Sequence, residues 1–476
     1  MSSQSLELTV VGVGDARRLR VAAQSAASIG NFEGTAAESD GGVVLEGPLS
    51  SVNAAAARSA VPSLRPQPIG LRTSAGVGDR LGLATPGQAR AFRESVAGIV
   101  PVFAQQSARE MDRLGRCPQQ VMDDATFGIL QAGWTSAVGS DADHLKSTAD
   151  IDRCLDAGFT SFTLDPGEHV RPVTGDVQGA ALAQLPWGDL EDDQQSMMRR
   201  YAGLTIDTGD SPLRIGEGDI RRAAAKYGAA IVYTVSMYRH LMDAASYPVE
   251  VEVSVDETDD VTTLAEHVYL ATEMKRLGMK WVGFAPRYIG SFEKGVEYIG
   301  DRDVLFRSLV QHSHIATAFG PYKLSLHSGS DKFSIYELAS EATGRVVHLK
   351  TSGTSYLVAI GIVARFAPQL FRDIYDVSRE AFRAARASYQ VSAQLDRMPA
   401  SAAVADDRLS DLVTAFDTRQ MLHVGYGPVL RTPDETGPSE RSFALREVLT
   451  KHDGAYQDAL AIHFGAHLKP FSQESN

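Results

Sequence analysis

From Ile69 onward the sequence repeats one unit, a short strand signal followed by a helical one. "IGLRTSAGVGD" runs into "PGQARAFRESVA", "IVPVFAQQS" into "AREMDRLG", and "TSAVGSDAD" into "TADIDRCLDAG". "SFTLDPGEH" is followed by a long excursion. "VEVEVSVDET", "KWVGFAPRY", "YKLSLHSGSD" and "RVVHLKTSG" then each lead into a helical segment. Parallel strands need a crossover between them, so this alternation implies a parallel sheet. About eight units over roughly 300 residues match a (β/α)8 barrel, whose usual size is ~250 residues or more with insertions. The expected fold is therefore α/β, a (β/α)8 TIM-type barrel over residues 69–390. The rival is an open doubly wound sheet, which gathers ligands at one crevice. Here nearly every strand ends in a polar cluster, which favours a barrel.

The flanks read differently. Residues 1–65 form a small N-terminal α/β region: "LELTVVGVGD" a strand, "ARRLRVAAQSAAS" a helix, "GGVVLEGPL" a strand and "SVNAAAARSAV" a helix. The prolines of "PSLRPQP" mark a linker. The insertion at 170–248 is too long for a simple crossover and reads as a lid or subdomain. Its "AIVYTVSMYRHLMDA" suits a helix or a strand. Residues 391–476 read as a helical C-terminal extension, interrupted by "HVGYGPVL" at His423.

A formal charge of −13 argues against nucleic acid and anionic lipid as partners. Two cysteines exclude a disulfide framework and a cysteine-rich metal knuckle. The start lacks a basic n-region, and no stretch approaches the ~18 apolar residues of a membrane span. A soluble, cytoplasmic protein is the expectation, with oligomerisation left open. "GVGD" occurs at Gly12–Asp15 and Gly76–Asp79 but never continues as a dinucleotide fingerprint.

If the barrel closes, its strand ends face one cup. Of 12 histidines, His144, His169, His327 and His348 lie at or beside strand ends. Imidazoles and carboxylates converging there would hold a divalent metal with positions open for substrate. Glu168, beside His169, and Asp256 with Glu257 in "VDET" are candidate proton-transfer groups; the acidic pair also suits the first turn of a helix. Arg287, Lys332 and Lys350 are candidates for a substrate's carboxylate or phosphate. His240, His267, His312 and His314 fall in helical segments and are expected to lie apart.

Several blocks resemble the tagaturonate epimerase family of tagaturonate/fructuronate epimerases. They include "GVGDRLGLATPG" (76–87), "GSDADHLKSTADIDRCLDAGFTSFTLDPGEHV" (139–170), "VEVSVDETD" (251–259), "FEKGVEYIGD" (292–301), "LSLHSGSDKFSIY" (324–336), "HLKTSGTSYL" (348–357) and "RQMLHVGYG" (419–427). The resemblance implies a metal-dependent isomerase that interconverts two ketohexuronates, with a small sugar acid as its partner. It favours His169, His327 and His348 as metal ligands, with His423 a rival for the third place, and Glu168 and Glu257 as proton-transfer groups. Zn, Mn, Ni and Co are not distinguished. Other readings are an epimerase of a different ketose or ketose acid, a barrel hydrolase using two carboxylates and a non-enzymatic sugar-acid binder.

Overall fold

In the computed structural model, which describes residues 6–472 apart from 40, 96–97, 174, 176–178, 433 and 435, the N-terminal region is an antiparallel sheet. Its strands β1 (Glu7–Val11), β2 (Arg18–Ala23), β3 (Thr35–Ser39) and β4 (Gly42–Gly47) lie in the order β1-β2-β4-β3. The helix expected in "ARRLRVAAQSAAS" is thus strand β2 followed by a short 3-10 turn. Its physical reason is a period of two: Leu19, Val21 and Ala23 are buried while Arg18 and Arg20 are exposed. The helix expected in "SVNAAAARSAV" is present as Ser51–Ala60, capped by the Ser50 hydroxyl, which accepts from the Asn53 N–H at 3.3 Å.

The eight expected barrel strands are all present. They are β5 (Ser74–Gly76), β6 (Val100–Ser107), β7 (Gly139–Leu145) and β8 (Ser161–Leu164), then β11 (Glu250–Ser254), β12 (Gly283–Ala285), β13 (Lys323–Leu326) and β14 (Val347–Lys350). Between β8 and β11 the excursion forms a small hairpin, β9 (Thr205–Asp207) and β10 (Pro212–Arg214). The barrel closes in the order β11-β12-β13-β14-β5-β6-β7-β8, and every pairing in it is parallel. The ambiguous "AIVYTVSMYRHLMDA" belongs to a 28-residue helix, Glu217–Ala244. That helix packs on helices Thr148–Asp156 and Leu264–Arg276, so the excursion ends as an ordinary crossover.

The lumen departs from the usual stack of branched apolar side chains. Lys350 on β14 bonds to Asp143 on β7, Thr163 on β8 and Glu252 on β11, none of them a neighbouring strand. These contacts cross the barrel axis. The apolar residues of the same strands, such as Val251, Val253, Phe162, Leu324 and Leu349, join the main hydrophobic core. Alternation in these strands therefore puts polarity inside the barrel and apolar mass under the helices.

Past β14 the chain is helical, with helices Thr354–Phe366, Pro368–Ala385, Phe416–Val424, Glu440–Lys451 and Asp453–Leu468. The break at "HVGYG" falls on Gly425. A Cβ there would stand 2.8 Å from the Ser378 side chain, so glycine permits the close approach to helix Pro368–Ala385. The last helix, Asp453–Leu468, packs on helix Thr85–Ser95.

Candidate active site

At the C-terminal mouth of the barrel lies a cavity of about 400 Å³. His327, Asp256, Glu257, Arg109, Lys146, Arg287 and Lys294 line it, and Ala387–Gln390 form part of its wall. The described residues of the 170–248 insertion contribute nothing to that lining.

The floor is built from paired imidazoles. His327 follows β13 directly; its Nε2–H donates to Glu252 Oε1 at 2.6 Å. Its Nδ1 faces Asp256 Oδ1 at 3.1 Å and His144 Nε2 at 3.3 Å. His144, in β7, mirrors it: its Nδ1–H donates to Asp143 at 2.8 Å, and Nε2 faces Asp256 at 3.4 Å. Each ring is fixed by a carboxylate on its far nitrogen, the arrangement that orients imidazole ligands around a metal. Two ring nitrogens and one carboxylate oxygen thus converge at the cavity floor. Asp143, His144 and His327, and separately His144, Asp165 and Glu257, bring ligand atoms close enough to share one ion. The donor set fits a divalent cation of the borderline kind.

Burial alone would raise Asp143, Glu252 and Asp256. The imidazoles, with Lys350 acting on Asp143 and Glu252, outweigh it and hold all three well below the ordinary carboxylate range. Burial likewise opposes the charged form of His144, but Asp143 and Asp256 raise it well above a free imidazole. Beneath the floor, Lys350 Nζ reaches Asp143 at 2.7 Å, Asp141 and Glu252 at 2.9 Å, and the Thr163 hydroxyl at 2.7 Å. Those carboxylates overcome burial and hold Lys350 well above the usual lysine value. The Lys350 ammonium is therefore a counter-ion within the charged layer.

The other sequence candidates separate by depth. Glu257 lines the cavity, paired with Arg109 at 2.6 Å, and Arg287 lines it too, its buried Nε without a partner among the described residues. His348 lies one layer deeper, its Nδ1 on the Ser74 hydroxyl at 2.8 Å and its Nε2 4.0 Å from Asp141. Burial pushes it down to about 3. His169 sits at the rim, stacked on Tyr233 at 3.8 Å, and Glu168 beside it is exposed, with Lys146 at 3.8 Å. Lys332, expected at the substrate's carboxylate, instead holds the backbone carbonyls of Glu293, Val296 and Ser330. Its ammonium is consumed by that backbone and lines no part of the cavity. His423 is buried beside Gly295 and Gly353, away from His327's ring, and its carbonyl accepts from Arg80 at 3.0 Å. Glu252, Arg109 and Lys294 were not among the sequence candidates. Glu252 carried a legible signal, a charge at alternate positions of an otherwise apolar strand, "VEVEVS".

Fold and mouth together define a (β/α)8-barrel enzyme with imidazoles, carboxylates and unpaired cations around one cavity. A family model described as tagaturonate epimerase (UxaE) matches residues 4–471. The chain belongs to this epimerase family, and it is an isomerase. It is 38% identical over 417 residues to the tagaturonate/fructuronate epimerase of Thermotoga maritima, covering 86% of this chain and 83% of that enzyme. The native crystal structure of the fructuronate-tagaturonate epimerase of Cohnella laeviribosi superposes with a TM-score of 0.88 at 33% identity, over 99% of this chain and 95% of that one. A glycerol complex of the same enzyme gives a TM-score of 0.88 at 32% identity, with the same coverage. Among the described residues, no helix is long and apolar enough to cross a membrane.

Proposed function

We propose that the chain interconverts D-tagaturonate and D-fructuronate at a divalent metal held by His144, His327 and Asp256. The observation that carries this is the convergence of two carboxylate-anchored imidazoles and a carboxylate on the floor of a cation-lined cavity. This set replaces the expected trio of His169, His327 and His348, of which only His327 reaches the convergence.

The two sugars differ at a carbon two removed from the ketone, so that carbon's hydrogen is not acidified directly. Cleavage and re-formation of the neighbouring carbon–carbon bond avoids the difficulty. Glu257, the expected proton-transfer residue, lines the cavity and takes the proton of the hydroxyl on that carbon. The bond to the adjacent carbon breaks, leaving an aldehyde and an enediolate. The aldehyde presents its other face, the bond re-forms, and Glu257 returns the proton to the new hydroxyl. A bound divalent cation supplies electrostatic stabilisation of the developing negative charge. Arg287 lines the same cavity, and among the described residues its Nε has no partner, so it offers one of the cationic contacts for the substrate's carboxylate.

Turnover in D2O followed by NMR tests the scheme. The epimerised carbon should keep its hydrogen, and activity should vanish on chelation and return with metal. Deuterium at that carbon would sink the cleavage route, and undiminished activity after chelation would sink the metal centre.

A further inference from the structure

Residues Phe292–Val296 lie in the connection from β12 to helix Arg302–Phe319, and Lys294 there reaches the cavity. The backbone around it is unusually well held. Lys332 Nζ donates to the carbonyls of Glu293, at 2.7 Å, and Val296. Arg419 Nε donates to the Gly295 carbonyl at 2.6 Å, and its guanidinium is fixed by Asp331 at 2.9 Å. The Glu293 carboxylate accepts from the Ser392 hydroxyl at 2.7 Å and from Gln420 at 2.8 Å. Holding Lys332 there is costly: burial pushes its ammonium down to about 7. Yet the side chain so positioned is half-buried and idle. Among the described residues Lys294 Nζ has no ion pair and no hydrogen bond; its charge acts at longer range on the buried Glu110 carboxylate, and the Tyr389 ring lies 6.0 Å from Nζ to the centroid. A rigid frame that presents an unpaired cation to a cavity is the geometry of an anion receptor.

We propose that Lys294 is the specificity residue that selects a carboxylate-bearing ketose, and that Lys332 and Arg419 are positioning residues that act through it. This rests on the function proposed above. In that scheme the carboxylate travels with the aldehyde fragment, so a cation fixed to the wall keeps the fragment in place while its carbonyl turns. The sequence places Lys332 in the conspicuous "HSGSDK" stretch, but it is Lys294 of "FEKGV" that lines the cavity.

The test is calorimetric binding of D-tagaturonate and of its neutral analogue D-tagatose to the full, metal-loaded chain. The wild type should prefer the acid. Lys294→Met should lower that preference about tenfold or more, with an unchanged thermal midpoint because Nζ holds nothing in the fold. Lys294→Arg should retain most of it. Lys332→Met should lower the same preference while the metal content stays full, which general loosening of the barrel would not allow. A Lys294→Met chain that keeps the full preference overturns the inference and leaves the proposed function standing. A wild type that binds both sugars alike overturns both.

Discussion

His144, near the end of β7, and Ser328 and Asp331, in the loop after β13, hold positive φ values of 53°, 49° and 60°. Such conformations cost on the order of 1–3 kcal/mol each for residues with a Cβ, and they persist where surrounding contacts enforce them. At His144 the turn carries the ring over to His327, with centroids 4.8 Å apart. His144→Ala should therefore lower metal content and turnover by about 100-fold or more, since ligand and orientation are lost together. His169→Ala, with its ring on Tyr233, should leave metal content nearly unchanged in elemental analysis. Loss of metal there would move the centre to the rim. Lys350→Met addresses the layer beneath. It leaves Asp141, Asp143 and Glu252 without their common counter-ion, and a broken buried pair costs about 3–5 kcal/mol. Urea unfolding of the variant measures this directly, and a loss under about 1 kcal/mol would show the layer protonated instead.

Helices Leu264–Arg276 and Arg302–Phe319 are joined by a buried imidazole pair. His267 Nδ1 meets His312 Nδ1 at 2.9 Å, and His267 Nε2 meets the Tyr322 hydroxyl at 2.8 Å. Burial pushes His312 down to about 4, and His267 well below an ordinary imidazole. As pH falls, the unfolded chain takes up these protons near 6.5, while the folded chain holds His312 neutral to about 4. The stability tied to the pair is thus fully present above about 6.5 and lost between there and about 4. The urea midpoint should fall across that window, less steeply in His312→Phe; equal slopes would refute the assignment. Both residues were expected to lie apart from the site, and they do. At this scale the sequence was most legible where periodicity was strong. All eight barrel strands overlap the stretches expected of them, β7 running two residues past its own, because each is short and apolar or alternating. β2 was misread because "ARRLRVAA" satisfies a helical composition, while its burial follows a period of two. The site was harder to read. His144 and His327 announce themselves at strand ends, but Glu252, which orients His327, sits inside a strand, and the opposition across the lumen exists only once the barrel closes.

The whole molecule gathers carboxylates just beneath the mouth, where Asp143, Glu252 and Asp256 stand around Lys350 and two imidazoles. A bound dication relieves this, so metal should act as a ligand of the folded state. At free metal about a hundredfold above its dissociation constant the gain is about 2.7 kcal/mol. Removing metal with a chelator should lower the thermal midpoint, and restoring it should reverse the drop; an unmoved midpoint would place the ion elsewhere. The supports of the loop after β13 come from far down the chain. Asp331 receives Arg419 at 2.9 Å, and its N–H donates to His467 at 2.9 Å, both from helices beyond the barrel. During synthesis the eight strands leave the ribosome well before those helices do. The barrel can close while its mouth is still unsupported, and the enzyme gains its working loop only when the last helix docks.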